Sequence, residues 1–232
     1  MKMSFGCELA YRVKEPTVFV LQVEAARIAS HGSLTEVWQM VPELQRDSAI
    51  VPLTENRTAR FVTPAGALTV AYSGSVDLHA HRADPAPIGE IAPAKLPVEV
   101  LPFLLPSRYC ESDGLGDFVK EHFGALLPGH SRVTAVCNWV WDNIKYRAGS
   151  SDIHTSACKT LETRAGVCRD FAHLAVALCR ALDIPARFVS CYAFGLQPVD
   201  FHAIFEAYLG GHWWLFDPTR EPALDAIVRI GA

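Results

Sequence analysis

The sequence predicts an α+β protein in two parts, and three observations carry that prediction. The first eighty or so residues hold short segments of two-residue apolar–polar alternation, broken by turn residues. Prolines then crowd the chain at 85, 87, 93, 97, 102 and 106. Beyond them, segments of helical period come first and strand-like segments follow. Helices grouped ahead of strands, rather than alternating with them, call for helices packed on a largely antiparallel sheet.

Residues 1–82 form the expected β-rich, sandwich-like domain. Cys7, Leu9, Tyr11 and Val13 alternate with Glu8, Ala10, Arg12 and Lys14, the pattern of a half-buried strand. Further strands are expected at 17–24, 36–41, 49–53, 59–63, 67–72 and 75–79. Their separators are turn residues: His31-Gly32-Ser33, Thr54-Glu55-Asn56, Pro64-Ala65-Gly66 and Ser73-Gly74. Residues 83–106 read as an extended, proline-rich linker. The second domain, 107–232, opens with a helix from Gly116 and a second capped by Ser131, whose apolar stripe is Val133, Val136, Cys137, Val140, Trp141 and Ile144. A short helix at 155–163 precedes the Gly166 turn. After it, Phe171, Ala172, Ala175, Val176, Leu178, Cys179 and Leu182 recur at helical spacing until Asp183-Ile184-Pro185 ends the helix. Strands are expected at 186–192, 201–209 and 212–216.

Composition removes several functional classes. A net charge of −4 and a pI near 6.1 give no electrostatic basis for a nucleic-acid or polybasic membrane partner. The first residues hold no apolar stretch of signal-peptide length, and no run reaches transmembrane length. The seven cysteines are odd in number and lack paired spacing, so they read as reduced thiols of a cytoplasmic protein. His79 and His81 could place two imidazoles on one strand face, but two ligands alone rarely make a site, and His154, Cys158, Cys168 and Cys179 lack clamp spacing, so no metal and no cofactor are expected.

The chemistry concentrates at Cys168. It falls at a helix N-terminus, where unpaired N–H groups and the helix dipole favour an anion, with Arg164 and Arg169 adding positive charge. A cysteine nucleophile needs a base, and the base needs an orienting partner. Gly210-Gly211 predicts a tight hairpin, and pairing Leu209 with His212 makes Asp217 the diagonal, same-face neighbour of His202, roughly 7–8 Å apart at Cβ. Cys168 is then the nucleophile, His202 the proton relay and Asp217 the residue that orients it. The Cys168 backbone N–H supplies half of an oxyanion hole, and Asn138, Trp139, Trp141 and Asn143 are candidates for the other half. Trp214 or its neighbour Trp213 is expected to form a groove wall. His173 and Asp170 read as structural residues, and Glu206 as a surface or substrate contact.

Gly166-Val167-Cys168-Arg169-Asp170-Phe171-Ala172-His173-Leu174, Ile184-Pro185-Ala186-Arg187-Phe188-Val189-Ser190, His202-Ala203 and Phe216-Asp217-Pro218-Thr219 together resemble the core of the bacterial transglutaminase-like superfamily. The resemblance covers roughly 115–220, and the β-rich half is similar to the region often joined to that core. It implies a papain-like core, a Cys168/His202/Asp217 triad and a peptide or protein substrate. Members are commonly described as cysteine proteases, which makes hydrolysis of an amide bond through a thioester the leading expectation. Transglutaminase-type transfer to an amine is the first alternative, and a non-catalytic binding module the second. The family's usual tryptophan two residues after the histidine is Ile204 here, so an indole contact is expected to be lost.

Overall fold

The computed structural model describes residues 1–232, which resolve into two compact units. The first comprises Met1–His81, Ser190–Phe201 and Asp225–Ala232; the second comprises Arg82–Val189 and His202–Leu224. The first unit therefore draws on the C-terminal half as well as on the expected β-rich segment.

In the first unit, β1 (Lys2–Val13), β2 (Thr17–Leu21), β3 (His31–Val41), β4 (Asp47–Val51), β5 (Asn56–Thr63) and β6 (Gly66–Leu78) form two three-stranded sheets, ordered β1-β6-β3 and β2-β5-β4. Val13, Phe61, Leu68 and Val70, drawn from both sheets, share one buried cluster, and Phe19 and Phe61 stack at 5.4 Å as cross-strand partners of β2 and β5. Two predicted turns are absent. His31-Gly32-Ser33 opens β3, and Ser73-Gly74 lies inside a continuous β6 instead of separating two strands. The glycine serves close approach here: a Cβ on Gly74 would stand 2.3 Å from the Thr35 carbonyl oxygen and 2.8 Å from the Phe5 ring. Thr35 borders a register shift in β3 that begins at Gly32.

The second unit is helical first. The proline-rich segment contains two 3₁₀ turns, Pro93–Lys95 and Val98–Leu104, where a fully extended connector was expected. Proline's fixed φ suits the start of such turns. Helix α1 (Gly116–Phe123) is followed by α2 (His130–Asn143), α3 (Ala157–Thr163) and α4 (Cys168–Ala181). Ser131 does not cap α2. Gly129 occupies that position at φ 130°, and its N–H donates to Glu90 Oε1 at 2.8 Å, while the same carboxylate pairs with Arg132. Glu90 thus sets a negative charge at the N-terminus of α2, where the helix dipole favours it.

Two short strands, β7 (Lys145–Tyr146) and β8 (Ala165–Gly166), pair in parallel just ahead of α4. After α4 come β9 (Ala186–Ala193), β10 (His202–Leu209) and β11 (His212–Phe216). The β10–β11 hairpin has the register the Gly-Gly turn predicts, Leu209 opposite His212 through Phe205 opposite Phe216. Helix α4 packs on β10. Its residues Phe171, Leu174, Ala175 and Leu178 join Phe205, Ala207 and Leu209 in a single buried core. Burying side chains of this size stabilises by roughly 1.5–3 kcal/mol each, so α4 is fixed by packing more than by helix propensity. The later part of β9 belongs to the first unit, where it pairs antiparallel with β12 (Ile227–Gly231), a strand not anticipated from sequence.

Candidate active site

Cys168 is the first residue of α4 and is half-buried. Three features shape the turn that presents it. Val167 is extended, at φ −114° and ψ −178°, so the chain enters the helix abruptly. The Val167 N–H donates to Asp170 Oδ2 at 2.8 Å, closing the first turn from inside. Asp170 is fully buried, paired with Arg169 at 3.1 Å and hydrogen-bonded by the Ser151 hydroxyl. Gly166 completes the turn, because a Cβ there would lie 2.6 Å from the Asp170 Cβ. Asp170 is accordingly the structural residue expected from its place in the first helical turn.

The hairpin brings His202 and Asp217 together. His202 Nε2 and Asp217 Oδ2 are 3.0 Å apart, and both side chains are almost wholly buried. Asp217 Oδ1 accepts the Thr219 N–H at 2.8 Å and the Thr219 hydroxyl at 2.7 Å, so each carboxylate oxygen has a fixed partner. Burial opposes protonation of His202. The hydrogen bonds to Asp217 and to Cys168, with the charges of those two groups, outweigh it and raise the histidine pKa to about 9. Cys168, His202 and Asp217 all lie within the second unit.

Tyr146, which sequence reasoning did not single out, joins them. Its hydroxyl is within hydrogen-bonding reach of both the Cys168 backbone N–H and the Cys168 thiol. Partial burial, then the nearby Cys168 and Glu221, push the phenol up to about 12, so it is a neutral O–H at physiological pH. The pairing of Tyr146 with Gly166 sets its place, and its ring leans on Phe171 at 5.7 Å. A two-residue parallel pairing leaves no periodic signal in sequence, so nothing there pointed to Tyr146.

The predicted donors are dispersed. Asn138 accepts from Arg220 at 2.5 Å, and the Arg220 guanidinium lies 5.3 Å from the exposed Trp141 ring. Arg220 follows the Asp217–Thr219 turn directly, so Asn138 and Trp141 stand beside that end of the site. Trp139 packs edge-on against Phe118 with Arg164 over its ring, and Asn143 donates back to the Trp139 carbonyl. Trp214 packs against the core and donates its indole N–H to the Leu209 carbonyl at 2.9 Å. Ile204 is fully buried. Glu206 is not at the surface as expected: it is buried and ion-paired with Arg187 at 2.6 Å, whose guanidinium stacks over Trp213 at 4.1 Å. No cluster of three or more His, Cys, Asp or Glu residues is arranged to hold a metal. All seven cysteines are free thiols, and no helix is long and apolar enough to cross a membrane.

Comparison with known proteins places this geometry in context. Residues 118–218 match the transglutaminase-like superfamily. The crystal structure of a candidate cysteine protease from Cytophaga hutchinsonii superposes with a TM-score of 0.92 at 38% identity, over 100% of this chain and 81% of that one. An uncharacterized protein of Mycobacterium leprae is 34% identical over 97 residues, 38% of this chain and 34% of its own. An uncharacterized protein of Mycobacterium tuberculosis is 43% identical over 81 residues, 35% of this chain and 26% of its own. The matches therefore span about a third or less of those curated relatives.

Proposed function

Because the chain belongs to the transglutaminase-like superfamily, we propose that it is a cysteine hydrolase of amide bonds in peptide or protein substrates, acting through Cys168, His202 and Asp217 on a papain-like core. The observation that carries this reading is the buried His202–Asp217 pair, with Cys168, the first residue of α4, near enough to help raise the histidine pKa.

The steps follow from the arrangement. Asp217 engages Nε2, which leaves Nδ1 for the thiol. His202 takes the Cys168 proton, and the thiolate attacks the substrate carbonyl carbon. The oxyanion that forms meets the Cys168 backbone N–H, and the Tyr146 hydroxyl supplies the second donor once its own oxygen is released from that N–H. Collapse breaks the C–N bond, and imidazolium gives its proton to the departing amine, leaving a thioester on Cys168. Water, deprotonated by His202, attacks the thioester and releases the carboxylic acid and the thiol. With an amine in place of water the same intermediate yields a new amide.

Selective alkylation tests the pair. Burial raises the thiol pKa of Cys110, Cys137, Cys158 and Cys179 above the ordinary range, so at mildly acidic pH iodoacetamide should label Cys168 ahead of them. His202→Ala should remove that preference; equal, slow labelling of the seven thiols would defeat the proposal. Peptide-library cleavage with and without an added primary amine then ranks hydrolysis against transfer. Tyr146→Phe should lower kcat by about 10²-fold with KM little changed, as loss of one oxyanion donor does.

A further inference from the structure

The first unit holds a feature that acyl chemistry leaves unused, a cleft of about 830 Å³ along β1. One wall is residues 3–9, seven consecutive positions. Successive residues of a strand point to opposite faces, so a cleft over one face would touch alternate residues only. Contact with every residue from 3 to 9 places it along the edge of the strand. β1 ends the β1-β6-β3 sheet and pairs with β6 alone, so its outer edge presents backbone N–H and C=O groups without a strand partner.

The rest of the cleft says what would fit. The opposite wall is residues 192–197 and 199–201, and in it Phe194 and Val199 are 71% and 87% exposed. Phe5, Tyr192 and Phe201 make an aromatic floor, with ring centroids 5.1 Å and 5.4 Å apart in succession. Along β1 the side chains alternate, Met3 and Phe5 buried against Ser4, Gly6 and Glu8 exposed. The charged side chains of the lining are the carboxylates of Glu8 and Asp200, both exposed, with no lysine, arginine or histidine among them.

We propose that this edge binds an extended peptide segment of alternating apolar and basic residues, added to β1 as a further strand. Its apolar side chains lie over the aromatic floor, its lysines or arginines face Glu8 and Asp200, and its backbone completes the β1 ladder. Seven residues of strand span roughly 23 Å, enough for a segment of about six residues. An acidic segment would meet two carboxylates and no cation, which excludes it.

The test uses the full chain carrying Cys168→Ala, so that the probe is not consumed and the result is independent of the hydrolase reading. Acetylated, amidated Val-Lys-Val-Lys-Val-Lys bearing fluorescein is titrated by anisotropy, with Val-Glu-Val-Glu-Val-Glu as its counterpart. Amide hydrogen exchange locates the contact. Saturable binding of the lysine peptide, slowed exchange at residues 3–9, and at least about tenfold weaker binding by Glu8→Lys with Asp200→Lys are expected. Both substituted side chains are exposed, and circular dichroism verifies the variant's fold. No saturable binding, equal binding of the glutamate peptide, or protection confined to other segments would overturn the proposal. Protection of residues 3–9 that rises with protein concentration in the absence of peptide would assign the edge to a second copy, and would overturn it too.

Discussion

Two buried histidines of the second unit, His173 inside α4 and His202 at the start of β10, have opposite chemistry. His173 is stacked on Tyr109 at 5.1 Å and tilted against Phe188, and its Nδ1 has no hydrogen-bond partner. Burial lowers its pKa to about 4; the nearby Asp170 charge works the other way without overcoming it. His202 is also buried, yet its pKa rises to about 9 because the hydrogen bond to Asp217 and the influence of nearby Cys168 outweigh that burial. Burial alone makes a histidine a neutral aromatic plug. Burial with a carboxylate fixed on one nitrogen keeps the ring protonated well above its ordinary range.

The largest test of that contrast is substitution of each ring. His202→Ala should reduce kcat/KM for amide cleavage by about 10⁴-fold or more. His173→Phe keeps a ring between Tyr109 and Phe188 and removes the unpaired nitrogen, so turnover should stay within about twofold. Comparable losses in steady-state kinetics from both variants would break the comparison. Removing the partner alone comes next. Asp217→Asn preserves shape but no longer stabilises imidazolium, and kcat should fall by about 10³-fold. The His202 titration, followed by imidazole NMR, should move down toward the ordinary value; a resonance still titrating near 9 would show that Asp217 is not what raises it.

The placement of Cys168 and of the His202–Asp217 pair was legible in the sequence because it follows short-range rules. A glycine turn running into an amphipathic stretch sets Cys168 at the helix start, and Gly210-Gly211 sets the hairpin register that brings Asp217 to His202. What was not legible depends on long-range contacts. Glu90 rather than Ser131 meets the start of α2, Gly74 accommodates β3 instead of turning, and Arg187 draws Glu206 into the interior. Tyr146 belongs with these, since only its pairing with Gly166 carries it to the thiol. β12 escaped notice because Ile227–Gly231 is a short apolar run whose strand identity comes from pairing with β9.

The remaining test sets the two histidines against each other in stability rather than activity. Between about pH 4 and 6.5 the unfolded chain binds a proton at residue 173 that the folded chain refuses. Stability from this site therefore rises with pH across that window and is lost on acidification. Between about 6.5 and 9 the folded chain holds a proton at residue 202 that the unfolded chain has released. That contribution is complete below 6.5 and is lost as pH rises through 9. Each window carries at most about 3 kcal/mol, so chemical denaturation at a series of pH values should give a stability maximum near 6.5. His173→Phe should flatten the acid limb and leave the alkaline one, while His202→Ala should do the reverse. If His173→Phe leaves the acid limb unchanged, the neutral, unpartnered state of that ring is not what separates it from His202.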